Sequence, residues 1–218
     1  MLIIFDCDGV LVDSEYLAAK TFSAVLAADG VELDQASCFK NFHGKTLDMC
    51  FQWVEKNKRV TLKADFAERL EEQTQLVFEQ ELTRVEGIES VLHWLDRNNI
   101  LYCVASNGGH RKIEHSLSVV GLLQHFPHRF SAEDVAQGKP SPALFLHAAD
   151  SLEVSPSQCI VVEDSAAGLS AGQAAGMDVF FYQPASIARP MRFPGTFEHM
   201  GELIAQLADK LKQSRPRG

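Results

Sequence analysis

The stretch Phe5-Asp6-Cys7-Asp8-Gly9-Val10-Leu11-Val12-Asp13-Ser14-Glu15 (FDCDGVLVDSE) decides how the chain is read. It follows the apolar run Leu2–Phe5, which has the length and character of a buried strand. Two carboxylates therefore stand two residues apart at a strand end. Alternation along an extended chain predicts that Asp6 and Asp8 point one way and Cys7 the other. In an open α/β sheet, the carboxyl end of a strand faces the usual ligand crevice. Gly9 permits a turn that most residues resist. Crowded carboxylates repel unless a cation or a shared proton relieves them, and a hard divalent ion with oxygen ligands, Mg²⁺ above all, is the economical partner. Capping and turn support are the competing structural roles for Asp6 and Asp8.

Outward from this stretch, further short apolar runs occur at Ile100–Ala105, Cys159–Val162 and Asp178–Tyr182, with a weaker one at His128–Ser131. Helix-like segments at Lys112–Val120, Ala143–Ser151 and Ala166–Ala175 alternate with them, and Pro142 suits a first helical turn. This rhythm predicts an α/β fold, a parallel sheet with helices on both faces. The rhythm breaks between about Ser14 and Arg84. There Leu17–Ala28, Lys45–Lys56 and Lys63–Leu82 read as amphipathic helices with no convincing strand, so a helical insertion is expected. The tail Gln213–Gly218 is expected to fray.

Composition narrows the function. The chain has 218 residues, 46% of them hydrophobic, and no apolar run long enough to span a bilayer. The N-terminal apolar run ends at Asp6 with no basic residue before it, unlike a secretory signal. Five scattered cysteines without a CxxC pair suit reduced thiols, and a cytoplasmic location is expected. A formal charge of −9 argues against a nucleic-acid partner. It leaves room for a small anionic substrate at a locally positive site.

Three more features follow predicted strands. Ser106-Asn107-Gly108 offers a hydroxyl and backbone N–H groups at a helix start, an anion cradle or an ordinary N-cap. Gly138-Lys139-Pro140-Ser141-Pro142 holds one lysine between rigid flanks. Glu163-Asp164-Ser165 supplies a second acidic pair, for which helix capping is the alternative role. Their joint occurrence in order, on separate strands, is far more specific than any one of them.

Taken together, Asp6-x-Asp8-Gly9-Val10, Ser106-Asn107, Gly138-Lys139-Pro140 and Glu163-Asp164-Ser165, with Ala174-Ala175-Gly176-Met177 beyond, resemble the haloacid dehalogenase superfamily of phosphotransferases. Gly9–Glu15 resembles its subgroup of sugar-phosphate phosphatases and β-phosphoglucomutase. The resemblance implies a Rossmann-like core from residues 1–13 and 85–218 and a small α-helical cap domain over 14–84. It implies that Asp6 attacks phosphorus and becomes an aspartyl phosphate. Asp8 would protonate the leaving alcohol and then activate water, its backbone carbonyl helping to bind Mg²⁺. Ser106 and the following amide, at Asn107, would hold phosphoryl oxygens, and Lys139 would neutralise Asp6 and the phosphate together. Asp164 would complete the metal site, with Glu163 either a ligand or a water-mediated partner.

The cap bears on the choice of reaction. Lys40–Lys63 carries six basic residues against two acidic ones in an otherwise acidic chain. His43-Gly44-Lys45-Thr46 matches the family's cap loop, making Gly44 and Lys45 candidate substrate contacts. Mutases of the subgroup carry a histidine and an arginine where Leu17 and Leu47 stand here. Hydrolysis is therefore expected over mutase activity, on sugar or sugar-acid phosphates such as 6-phosphogluconate. A monomer without nucleic-acid or membrane partners is expected. Dehalogenation makes little use of Asp8 and the Glu163-Asp164 pair. A phospho-aspartate signalling module would not place Asp6 and Asp8 on one strand or need a helical insertion. Arg189 and Arg192, in a Pro-rich loop, are weak further substrate candidates, and the remaining histidines show no metal-ligand spacing near the carboxylates.

Overall fold

The computed structural model describes residues 1–184 and 193–214; Arg189, Arg192 and the last four residues of the chain lie outside them. Six strands form one sheet: β1 (Leu2–Phe5), β2 (Leu101–Ser106), β3 (Arg129–Ser131), β4 (Cys159–Glu163), β5 (Asp178–Tyr182) and β6 (Thr196–Phe197). Their order is β3-β2-β1-β4-β5-β6 and every pairing is parallel. The chain runs outward from β1 through β2 to β3, then returns to the other side of β1 at β4. That reversal opens a crevice at the carboxyl ends of β1 and β4.

The Leu-Ile-Ile-Phe run of β1 is buried at every residue because both faces of the sheet are covered. Ile3 and Phe5 pack with Val91, Leu92 and Leu95 of α5 (Ile88–Arg97), Ile113 and Leu117 of α6 (His110–Val119), and Leu203 and Leu207 of α9 (Met200–Ser214). Leu2 and Ile4 face Leu144, Phe145 and Ala148 of α7 (Ala143–Ser151) and Leu169 and Ala171 of α8 (Ala166–Ala174). Burial of each such side chain contributes roughly 1.5–3 kcal/mol, so two-sided coverage of β1 is the main reason this short strand is stable.

Between β1 and α5 lie four helices and no named strand: α1 (Glu15–Ala28), α2 (Gln35–Phe42), α3 (Leu47–Lys58) and α4 (Phe66–Glu81). They enclose a separate cluster that includes Phe22, Leu26, Cys38, Cys50, Val54, Phe66 and Leu70. Helix α4 contributes Phe66 and Leu70 there, whereas Phe78 near its end joins the core on the sheet. The two connections to the sheet run side by side. The Asp13 N–H donates to the Thr83 carbonyl at 2.8 Å and the Val85 N–H to the Leu11 carbonyl at 3.0 Å.

Segment for segment, the strands and the helix over Ala143–Ser151 match the reading from sequence within about two residues, an ordinary end uncertainty. That reading does not single out α2, α5, α9 or β6. Helix α5 carries a usable signal, with Ile88, Val91, Leu92 and Leu95 buried at helical spacing. Residues 213–214 belong to α9 instead of a frayed tail. Pro142 sits one residue before α7, at its N-cap.

Candidate active site

Strand β1 ends at Phe5, so strand alternation does not place the two aspartates. The chain curls instead: the Leu11 and Val12 N–H groups both donate to the Cys7 carbonyl, and Gly9 adopts φ +77°. A Cβ at Gly9 would lie 1.9 Å from Asp164 Oδ2, so only glycine lets the loop pass this close to the end of β4. Asp6 stays on the sheet, its N–H donating to the Val162 carbonyl at 2.9 Å. Its carboxylate accepts from Lys139 Nζ at 2.5 Å. The Asp8 carboxylate turns to different donors, accepting from Ser14 Oγ on Oδ1 and from Lys112 Nζ on Oδ2, each at 2.6 Å.

Lys139 is 2% exposed. Its ammonium bridges Asp6 to Glu163 Oε1, the latter at 2.7 Å, and sits 4.8 Å from the centre of the Phe145 ring. Its backbone is held from both sides by Asn107, whose Oδ1 accepts the Lys139 N–H at 2.8 Å and whose Nδ2 donates to the Lys139 carbonyl at 3.0 Å. Gly138 allows that approach, since a Cβ there would lie 2.4 Å from Asn107 Oδ1; the Lys139–Pro140 peptide is cis. Burial opposes the charge on Lys139, but Asp6 and Glu163 outweigh it and hold the ammonium above the ordinary lysine range. Burial pushes the Asp6 carboxyl well up and Lys139 pulls it back. The 2.5 Å contact is short, as is usual for a charge-assisted hydrogen bond between an ammonium and a carboxylate.

Glu163 is 1% exposed and fully engaged. Its Oε2 accepts from the Asp164 N–H, the Ser165 N–H and Ser165 Oγ, all within 2.9 Å. Gly168 makes room for it, because a Cβ there would fall 1.8 Å from the Glu163 carboxyl. Asp6, Glu163 and Asp164 bring carboxylate oxygens within 4.8 Å of one another, a hard-donor set that suits Mg²⁺. With both Glu163 oxygens already bonded, Asp6 and Asp164 are the better placed of the three to hold a cation. The Asp8 side chain stands outside this group.

Ser106, buried at the end of β2, accepts the Gly108 N–H on its Oγ at 3.0 Å, so its hydroxyl hydrogen faces the crevice side shared with Asp8 Oδ2 at 3.5 Å. The loop after α2 brings His43 and Gly44 down onto the sheet. Gly44 has φ +70°, and a Cβ there would meet the Ser165 Cβ at 2.5 Å. Asn107 Nδ2 reaches the Gly44 carbonyl at 3.4 Å. His43 Nε2 lies 3.1 Å from Asp164 Oδ2 and 3.8 Å from Glu15 Oε2. Burial opposes charge on His43, yet Asp164 and Glu15 overcome it and raise the imidazole to about 10. Burial raises Glu15 to about 7 against the pull of His43. Lys45, by contrast, is exposed and forms no ion pair among the described residues.

Lys112, Ser14 and the contact of His43 with Asp164 are not singled out by sequence reasoning. One signal was available for Lys112. His110, Arg111 and Lys112 occupy the first turn of α6, where the helix dipole disfavours cations, so a positive group there needs a partner. Leu17 packs against the core and Leu47 is 51% exposed, and neither brings charge to the crevice.

Comparison with known proteins agrees with this geometry. Residues 3–182 match the family model of haloacid dehalogenase-like hydrolases. The chain is 35% identical over 205 residues to a 6-phosphogluconate phosphatase of Escherichia coli, covering 92% of this chain and 91% of that protein. A haloacid dehalogenase-like protein of unknown function from Agrobacterium tumefaciens superposes with a TM-score of 0.78 at 32% identity, covering 96% of this chain and 98% of the other. A family hydrolase from Deinococcus radiodurans, solved with bound phosphate and sodium, superposes with a TM-score of 0.75 at 28% identity over 95% of each chain. The chain belongs to the haloacid dehalogenase-like hydrolase family and is a phosphoric monoester hydrolase.

Proposed function

We propose that the protein is a magnesium-dependent phosphatase of small sugar and sugar-acid phosphates, 6-phosphogluconate among them, working through an aspartyl phosphate on Asp6. The observation that carries this reading is the buried Lys139 ammonium on Asp6 at 2.5 Å, in a crevice lined by Ser106 and opened at the sheet's switch point. A carboxylate nucleophile is ionised near neutral pH and needs no activating base, but an anionic phosphate must be brought to it, which a fixed cation allows.

In the first half-reaction an Asp6 carboxylate oxygen forms a bond to phosphorus as the bond from phosphorus to the sugar oxygen breaks. Burial raises Asp8, but Lys112 and Ser14 outweigh it and hold the carboxyl below its ordinary value, so the proton that Asp8 passes to that departing oxygen enters with the monoanion of the phosphate ester. Water then attacks phosphorus, Asp8 takes a proton from it, and the bond from phosphorus to Asp6 breaks to release inorganic phosphate. Ser106 and the Asn107 backbone amide hold phosphoryl oxygens, while the Asn107 side chain, bonded to Lys139 on both sides, keeps the lysine aimed. Glu163 restrains Lys139 from the opposite side. Asp6 and Asp164, with the Asp8 carbonyl, would hold magnesium, which would supply further charge neutralisation for the phosphoryl group.

Residues 14–84 serve as the cap over a core made of residues 1–13 and 85–218. Gly44 and His43 seat it on the Ser165 and Asp164 loop, which shields the phosphoryl group from bulk water. The reading places the enzyme in the cytoplasm as a monomer. All five cysteines are free and buried, and among the described residues no helix is long and apolar enough to cross a membrane.

Phosphate release from a panel of sugar and sugar-acid phosphates, with Mg²⁺ or with EDTA, tests the proposal beside Asp6→Asn. Turnover that requires Mg²⁺ and vanishes in Asp6→Asn is expected. Undiminished turnover in Asp6→Asn would remove the nucleophile, and transfer of phosphate between sugar positions without release would replace hydrolysis by mutase chemistry.

A further inference from the structure

Lys112 is the cation of this crevice with no role in the scheme above. His110, its neighbour in the first turn of α6, binds Asp134, and Arg111 binds Glu71; both contacts are exposed. Lys112 alone turns inward. Its stem passes over Gly108, where a Cβ would come within 3.3 Å of Lys112 Cδ and 3.8 Å of Asp8 Oδ2, so the bare backbone leaves a track for it. Its ammonium reaches Asp8 Oδ2 at 2.6 Å and lies 5.9 Å from the centre of the Phe78 ring on α4. The side chain remains 36% exposed, against 2% for Lys139. A buried bridge between two carboxylates has no freedom to change partners. A part-exposed ammonium on a four-carbon stem, with a single carboxylate partner, does.

We infer that Lys112 is a specificity-determining residue that binds the carboxylate of a sugar-acid phosphate at the end remote from the phosphate. This rests on the proposed role of Asp8 beside the leaving oxygen. One hydrogen bond from the leaving oxygen to Asp8, followed by the 2.6 Å contact to Lys112, puts the ammonium about 5–6 Å from that oxygen. With C–C bonds of about 1.5 Å, an extended six-carbon chain spans about 6 Å, so its far carboxylate falls within reach of Lys112. Asp8, Glu15 and Asp164 would repel such a carboxylate if it met no cation there. Lys139 is committed to Asp6 and Glu163, and His43 to Asp164. Lys45, beside Gly44 on the cap loop, is exposed to solvent, whereas Lys112 is turned inward to Asp8 and is the inward-facing cation placed to receive it.

The test compares 6-phosphogluconate with glucitol 6-phosphate, which share a six-carbon chain and differ at the remote end by carboxylate against hydroxymethyl. The quantity read is the ratio of kcat/KM for the two, which does not depend on the fraction of active enzyme. The unsubstituted enzyme is expected to favour 6-phosphogluconate. In Lys112→Met the ratio should fall about tenfold or more, the effect of losing one hydrogen bond between charged groups, and Lys112→Arg should recover part of it. Should Lys112→Met give no measurable turnover, Lys112→Gln, which keeps a polar group near Asp8 without the charge, is judged by the same ratio. A ratio unchanged within about twofold, however far both rates fall, would overturn the inference and leave Lys112 as a support for Asp8, with the phosphatase reading intact. Failure of the unsubstituted enzyme to hydrolyse either ester would overturn both.

Discussion

Replacing Lys139 by methionine removes the one cation buried between Asp6 and Glu163 while keeping a side chain of similar length. At an effective dielectric of about 20, contacts of 2.5 and 2.7 Å correspond to roughly 6 kcal/mol of attraction each, most of it offset by the cost of burying three ions. What decides the outcome is the state left behind. Two carboxylates, both nearly inaccessible to water, lose their shared partner, and breaking a buried pair in this way costs about 3–5 kcal/mol. For a chain of this size that lowers the thermal midpoint by about 6–20 °C. The deficit should shrink in acid. Burial already raises Asp6, and Lys139 is what pulls it back, so the variant's Asp6 moves higher still. A carboxyl with a raised folded pKa favours folding most below its unfolded value of about 4, and that advantage is lost as pH rises through the folded pKa. Midpoints of Lys139→Met and the unsubstituted protein, followed by circular dichroism without metal at pH 5 and pH 8, should therefore differ more at pH 8. Turnover should fall about 10²–10³-fold or more, the range for one fixed transition-state charge partner. Lys139→Arg should not restore it, because a fully enclosed slot has no room for the guanidinium. A midpoint within 2 °C of the unsubstituted protein at pH 8, together with kcat within about threefold, would refute the argument that this cation organises the site.

Gly44→Ala places a Cβ at a left-handed backbone position and against Ser165, so it should lift the cap loop, raise KM in the phosphatase assay and cost about 1–3 kcal/mol in urea unfolding. Equal KM values for variant and parent would show that the loop does not seat on Ser165. Ser14→Ala should free Asp8 from one of its two short hydrogen bonds and lower kcat about tenfold with little effect on KM; a change confined to KM would contradict it. His43 is raised from an ordinary histidine value to about 10, so its ion pair stabilises the metal-free protein fully below about pH 6.5 and is lost as pH climbs through about 10. The stability gap between the protein and His43→Gln should accordingly be wide at pH 6 and close towards pH 10, and a gap independent of pH would count against the charged contact with Asp164.

Sequence by itself was enough for the α/β class because the information is local. A four-residue apolar run ending in Asp-x-Asp-Gly, further buried runs at Ile100–Ala105 and Cys159–Val162, and a helix over Ala143–Ser151 each read from neighbours within a few residues. The family likewise followed from ordered motifs at strand ends. Tertiary structure decided what no local pattern encodes, namely which charged groups face which. Lys139 meets Asp6 across 133 positions, His43 meets Asp164 across 121, and Lys112 meets Asp8 across 104. The Glu163 carboxylate turns out to be occupied by its own loop and Lys139, the Asn107 side chain by the Lys139 backbone, and Lys45 by solvent. The physical reason is that electrostatics acts through space. A sequence shows which residues carry charge and where strands end, but only the packed sheet, the turn at Gly9 and the descent of the loop at Gly44 set the few ångströms that pair one carboxylate with one cation.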